Sequence, residues 1–381
     1  MKKILIVGNL ANPHLIRLVN SIISSKEHHS QYIIEGFSFN TEVDVGYLRK
    51  IGYERIYSRR KFFPSFIYKL QKIRFLFNII DFLLSFRKVH GSFSTINIHY
   101  LTIESFFLYP MYRKKSSKIV LTPWGSDVYR IPKYYLFFFK YLYRKADYVT
   151  LPPIKFRDDA IKKFAFNANK IVDIGFGSTI VDLILNNSIS REKAQELLGL
   201  DNQIVITCGY NANINQQHIA IIKSFCEVEK YLPQNILLIF LMTYNEEVPG
   251  YIMQVENMLG QTDFSYRVYK EYLDDNTLFY IQKSTNIFIH VQKTDAFSAF
   301  VQENILCGNI VINGAWLRYP QLEIDTIPYY LLDNIYKIGN VVLDILNKKT
   351  TVTISEATKN YISQNSWSIL GQKWDYFFEN S

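Results

Sequence analysis

Cysteine is scarce. The three residues present, Cys208, Cys226 and Cys307, stand at no spacing that suits a disulfide framework or a metal site, so a reduced, cytosolic protein is expected. The chain also lacks any uncharged apolar run near the roughly 18–20 residues of a spanning helix, which excludes an integral membrane protein. Its start, MKKILIVGNL, has a short apolar run before Gly8-Asn9, too brief for the core of a signal peptide and better read as a first strand. G-x-G-x-x-G is missing, and with it the dinucleotide fingerprint. Neither D-x-D nor a cluster of His and Cys ligands occurs, so no metal and no bound cofactor are expected. There is no internal repeat and no low-complexity segment.

What is present is apolar and basic. A chain of 381 residues with 48% apolar content can bury two cores, which suggests two domains. The net charge is +9, with 28 Tyr and 28 Phe. Positive proteins commonly meet nucleic acid, anionic lipid or phosphorylated substrates, and the position of the charge decides among them. Much of it lies in Arg59–His90, RRKFFPSFIYKLQKIRFLFNIIDFLLSFRKVH, where Arg59, Arg60, Lys61, Lys69, Lys72, Arg74, Arg87 and Lys88 face one acid, Asp81. An apolar helix with cationic flanks is the pattern of an interfacial anchor. The segment is therefore expected to meet an anionic membrane surface, and YYLFFFKYLY at Tyr134–Tyr143 reinforces it. Neither stretch matches a nucleic-acid module, so no nucleic-acid partner is expected.

Strand and helix patterns alternate along the chain. Lys2–Val7 reads as a strand, the turn-rich Gly8–Pro13 follows, and His14–Ile23 is a helix with Leu15, Leu18, Val19 and Ile22 on one face. Strands over Tyr32–Phe37, Thr95–Tyr100, Ile119–Thr122, Asp147–Leu151 and Lys170–Gly177 complete a first α/β half. If that sheet is parallel, His99 and the turn Trp124-Gly125-Ser126-Asp127 project to one side. A linker is expected at 177–189. A second half runs from a helix capped by Ser190 through strands Ile204–Cys208, Ile236–Leu241, Asn286–Gln292 and Ile310–Asn313. A final helix over Ser355–Glu379 carries Trp367, Leu370, Trp374 and Phe377 at helical spacing, which makes the tryptophans core anchors.

The stretch Thr294–Asn309, TDAFSAFVQENILCGN, sits between two of those strands. It puts the loop amides of Phe297, Ser298 and Ala299 at a helix N-terminus, where free N–H groups and the helix dipole favour an anion. Asp295 and Glu303 flank that loop eight positions apart. Glu303, further into the helix, is placed to accept hydrogen bonds from sugar or ribose hydroxyls. The stretch is suited to a nucleotide-linked sugar.

D-x(7)-E within DAFSAFVQE resembles the E-x(7)-E motif of retaining GT-B glycosyltransferases of family four, with Asp for the first Glu and Ser298 for the usual Gly. T-x-W-G-S-D at 122–127 is similar to that family's T-x-H-G-x-D loop, with Trp124 in place of the histidine. The order Gly8, Asn12-Pro13-His14, Arg17 is similar to its first loop, which faces the acceptor. The family's G-R…K-G, whose two cations grip the donor phosphates, is replaced by Gly209-Tyr210 and Gln217-His218.

The resemblance implies a GT-B fold of two Rossmann-like domains facing a cleft. An acceptor domain would cover 1–180, a nucleotide-sugar domain 190–355, and a C-terminal helix over 356–381 would return to the first domain. It implies Asp295, Glu303, Asp127 and His99 as catalytic candidates. Gly209, Asn211, Asn213, Lys293, Phe297, Ser298, Ala299 and Glu303 would bind the donor, with Arg267 a further candidate cation. Asn9, Asn12, His14, Arg17, Trp124 and Ser126 would meet the acceptor. It further implies retention of anomeric configuration by front-face attack, with the departing diphosphate taking the acceptor proton. The subgroup it most resembles acts on bacterial surface polysaccharides or lipid-linked sugars, such as capsule or O-antigen, at the inner face of the membrane. An epimerase of the same fold and a non-catalytic glycan- or lipid-binding scaffold are the alternatives.

Overall fold

A computed structural model describes residues 2–25, 32–152, 155–295, 297–348 and 354–380. The chain divides into two compact units, Met1–Gly177 with Trp367–Ser381, and Ser178–Ser366.

Unit 1 runs β1 (Lys2–Gly8), α1 (Pro13–Ser25), β2 (Tyr32–Ser38), α2 (Val45–Ile51), β3 (Tyr53–Ser58), α3 (Gln71–Phe86), β4 (Phe93–His99), α4 (Ile103–Lys115), β5 (Ser116–Thr122), α5 (Ser126–Tyr129), α6 (Leu136–Lys145), β6 (Tyr148–Thr150), α7 (Lys155–Phe164) and β7 (Ile171–Val172). Its seven strands pair in the order β3-β2-β1-β4-β5-β6-β7, all parallel. Helices cover both faces of such a sheet, so its central strands are continuous apolar runs rather than alternating ones. Ile4, Leu5, Ile6 and Val7 of β1 are all fully buried.

Unit 2 contains α8 (Thr179–Asn186), α9 (Arg191–Leu198), β8 (Ile204–Cys208), α10 (His218–Cys226), β9 (Ile236–Leu241), α11 (Tyr251–Leu259), β10 (Ser265–Tyr269), α12 (Asp275–Ser284), β11 (Ile287–His290), α13 (Ala299–Leu306), β12 (Ile310–Gly314), β13 (Tyr330–Leu332), α14 (Ile338–Lys348) and α15 (Glu356–Ser363). Its six strands are again all parallel, ordered β10-β9-β8-β11-β12-β13. Gly339 lets α14 approach α10, since a Cβ there would lie 2.3 Å from the Ser224 carbonyl oxygen.

The last helix, α16 (Trp367–Asn380), packs on α1 in unit 1. Trp374 and Phe378 are fully buried there, in one core with Leu18, Ile22 and Tyr32. The Tyr32 hydroxyl donates to Asp375 and the Trp374 indole N–H to the Gly175 carbonyl at 3.2 Å.

Two expectations change. The segment expected as a linker folds as α8: Ser178 caps it by accepting from the Ile180 and Val181 amides at 3.1 and 3.2 Å, and Ile180 and Val181 are buried. The single C-terminal helix is two, α15 in unit 2 and α16 in unit 1. Its apolar spacing continues through the break, so periodicity alone did not reveal it.

Candidate functional site

In both sheets the strand order reverses direction at one place, between β1 and β4 and between β8 and β11. Doubly wound sheets bind ligands beyond the carboxyl ends of the strands at that point. The candidate residues gather there in each unit.

In unit 1, β1 ends at Gly8, β4 at His99 and β5 at Thr122. Asn9 accepts from the Ala11 amide and the Asn40 side chain, and Asn12 caps α1 by accepting from the His14 amide at 2.9 Å. His14 is exposed as a residue near the start of α1, and Trp124 lies edge-on to its ring at 5.9 Å. Desolvation of the ring and then the nearby Arg17 charge lower its pKa to about 4. Ser126 donates to the Tyr100 hydroxyl at 3.3 Å.

Two catalytic candidates of this unit lie deeper than the sequence suggests. His99 is fully buried, 2.6 Å from Asn97 through Nε2, and burial pushes its pKa down to about 3. Its Nδ1 has no hydrogen-bond partner. Asp127 accepts from the backbone amides of Leu101 at 2.8 Å, Trp124 at 2.8 Å and Gly125 at 2.9 Å. Its carboxylate closes the turn after β5, which is a supporting role.

Burial raises the Asp127 pKa from 3.8 to about 6, against the opposing pull of those amides. A folded-state pKa above the unfolded one favours the protonated fold, so the stability it contributes is present below pH 4 and lost as pH rises through 6. The unaltered protein should therefore lose up to ~3 kcal/mol between pH 4 and 7 relative to Asp127→Asn, read from urea midpoints at each pH.

In unit 2, the loops after β8 and β11 meet. Gly209 has φ +70°, and a Cβ there would lie 2.9 Å from His218 Nε2 and 3.0 Å from Gln216 Oε1, so only glycine fits. Asn211 and Asn213 are buried and shape the following turns, each accepting from an amide two residues on. The Asn213 side-chain nitrogen is buried and has no hydrogen-bond partner.

Ser298 is the N-cap of α13, its hydroxyl accepting from the Val301 amide at 3.4 Å. The N–H groups of Ala299 and Phe300 have no carbonyl within the helix to receive them, as at any helix start. Phe297 packs edge-on to Tyr319 at 5.3 Å. The Tyr319 hydroxyl donates to Asp295, and burial, then the Asp295 charge, hold that phenol well above its usual pKa.

Glu303 is 5% exposed on α13. It accepts from the Ser178 hydroxyl at 2.5 Å and the Gln282 side-chain amide at 2.7 Å. Lys293 is exposed beside the loop. Arg267 is not a candidate: its guanidinium donates to the Leu198 and Gly199 carbonyls at 3.0 and 3.2 Å, where it neutralises the C-terminal end of α9. Among the described residues no three of His, Cys, Asp or Glu converge as a metal site.

The sequence reading missed Gln292, Tyr210, His290 and Tyr319, which line this place. A signal was available, because Phe288, His290 and Gln292 alternate along β11 and its end and so share one face.

The basic aromatic segment also differs in detail. Arg59 does not face outward: its guanidinium contacts Asn78 and Asp81 and stacks on Phe82 at 4.7 Å. Asp81, fully buried, also accepts from the Tyr68 hydroxyl at 2.6 Å and the Phe62 amide at 3.0 Å. The side chain of Lys72 lies outside the described residues. Outside this strut, Phe66, Leu70, Ile73, Phe75, Leu76, Tyr134 and Phe137 are all exposed. Phe75 joins the two segments through stacking on Tyr135 at 6.5 Å, so they form one face. Lys61, Lys69, Arg74 and Lys133 are exposed around it. Among the described residues no helix is long and apolar enough to cross a membrane.

No protein-family model matches the chain, and no curated protein matches it. Solved structures share its fold along essentially its whole length. HepE of Anabaena, in complex with UDP and glucose, is 12% identical with a TM-score of 0.69 over 100% of both chains. A glycosyltransferase from Rickettsia africae ESF-5 is 14% identical with a TM-score of 0.71, covering 100% of this chain and 98% of its own. Sucrose-phosphate synthase of Thermosynechococcus elongatus is 13% identical with a TM-score of 0.70, over 100% and 99%. The chain has the fold of the GT-B glycosyltransferases, two Rossmann-like units each built on a parallel sheet.

Proposed function

We propose that this protein is a glycosyltransferase that moves a sugar from a nucleotide-sugar donor to a lipid-linked or polysaccharide acceptor. Unit 2 takes the donor and unit 1 the acceptor. The observation that carries the reading is the start of α13, capped by Ser298 at the switch point of unit 2, with the Glu303 carboxylate one turn behind. Glycosyl transfer needs the leaving diphosphate stabilised as charge develops, and oriented amides supply that without a metal.

The finer reading is a metal-independent, retaining hexosyltransferase of the family-four type, working in bacterial surface glycan synthesis at the inner face of the cell membrane. The motif order in the sequence supports the family, and the exposed aromatic face ringed by lysines and arginine supports an anionic lipid surface.

HepE has been seen with UDP and with UDP-glucose, which makes these the first ligands to test. UDP-glucose at about 100 times its Kd should stabilise this protein by about 2.7 kcal/mol, visible as a raised Tm. No shift with any nucleotide or nucleotide sugar would favour a non-catalytic scaffold, for which the missing Arg/Lys pair is the supporting observation. Consumption of donor with no acceptor present would favour an epimerase.

A further inference from the structure

Behind the anion-facing loop of unit 2 lies a chain of uncharged side chains centred on Gln292, which is 3% exposed. Its Oε1 accepts from Asn215 Nδ2 at 3.2 Å and Gln216 Nε2 at 3.1 Å. Its Nε2 donates to the Tyr210 hydroxyl at 3.1 Å and lies 3.1 Å from His290 Nε2. Two NH₂ groups pointing at the oxygen fix which way the amide faces, so its nitrogen meets the imidazole. His290 Nε2 is then an acceptor, and the ring proton sits on Nδ1, 2.7 Å from Asn313 Oδ1. The Asn313 amide nitrogen in turn donates to the Leu317 carbonyl at 3.0 Å.

The same network holds the loop. Asn215 Nδ2 also donates to the Thr294 carbonyl at 3.0 Å, the Lys293 amide donates to the Asn215 carbonyl at 3.0 Å, and the Trp316 indole donates to the Gln292 carbonyl at 2.7 Å. The groups facing His290 are Tyr210 and Tyr319, each with its ring 6.2 Å away, Phe288 at 6.0 Å and Asn313, while Asp295 acts on it from the loop. Burial opposes protonation of the ring, and Asp295 and Asn313 favour it.

We propose that Gln292 is the positioning residue of the diphosphate seat. It fixes the loop carrying Asp295 and Ser298, and it holds His290 as the neutral Nδ1–H tautomer, so that the seat takes its anion through amides alone. This rests on the donor reading above. It gives the missing Arg/Lys pair a physical counterpart, because the neutral Gln292 amide, hydrogen-bonded at both its oxygen and its nitrogen, can be buried beside the loop where an unpaired cation would be strongly penalised.

Calorimetry with UDP-glucose, whose diphosphate does not titrate in the range, tests it between pH 5.5 and 8. Gln292→Glu places a carboxylate against both the His290 ring and the seat. We expect its Kd to rise roughly tenfold or more at pH 8, with the loss shrinking toward pH 5.5 as His290 protonates. Gln292→Met should weaken binding by a smaller factor that does not change with pH. Nitrogen-15 spectra of the ring should show the Nδ1–H tautomer in the unaltered protein and imidazolium in Gln292→Glu at low pH. Unaltered protein that binds, beside Gln292→Glu that binds equally at every pH, overturns the assignment to Gln292. Absence of UDP-glucose binding in the unaltered protein overturns the donor reading, and the role of Gln292 with it.

Discussion

Glu303→Gln is expected to fold as the unaltered protein does and to lose transfer activity by roughly 10- to 100-fold, the worth of a charged hydrogen bond made to the donor. The structure explains why the amide is tolerated. Ser178 can still donate to the new carbonyl oxygen. Gln282 carries an Oε1 with no partner, so turning its side chain lets it accept from the new NH₂. Glu303→Ala differs, since it strips an acceptor from both Ser178 and Gln282 inside unit 2. It should lower stability by about 2–5 kcal/mol and confuse any activity assay. The informative comparison is therefore Tm and turnover of Glu303→Gln together. An unchanged Tm with undiminished turnover would leave Glu303 as a packing residue only.

Binding to anionic vesicles should fall by roughly three orders of magnitude when Lys61, Lys69, Arg74 and Lys133 are all changed to serine. Each cation near such a surface is worth about 1 kcal/mol. The effect should fade in high salt, where the charges are screened. Changing Leu76, Tyr134 and Phe137 to serine should weaken binding at every salt concentration, because buried apolar area is not screened. Arg59 is a poor choice for this experiment. Its charge is spent on Asp81 inside the strut, and removing it would leave a buried carboxylate unpaired rather than a surface less positive. Co-sedimentation unchanged in both variants would remove the membrane surface from the proposal.

Both cores, the parallel character of the strands and the helix–loop that begins α13 were legible in the sequence. Buried parallel strands are apolar without interruption, helices show their 3.6-residue stripe, and a cap such as Ser190 announces itself by residue type. Those signals depend on neighbours along the chain. The break between α15 and α16 did not, since Ser366 and Trp367 are divided between units by what they pack against, not by any local preference.

The candidate site divides in the same way. Local pattern along the chain sufficed for the fold class, for the loop and helix that carry Asp295 and Glu303, and for the concentration of cations and aromatic residues in Arg59–His90. Which of those groups are open to a ligand depends on the folded chain. Burial and partner choice are set by residues far away in the chain. Ser178 reaches Glu303 across 125 positions and Asn215 reaches Gln292 across 77, and Arg59 turns inward because α3 brings Asp81 to it. The energy of a charged or amide side chain depends on its water and its hydrogen-bond partners, and composition records neither.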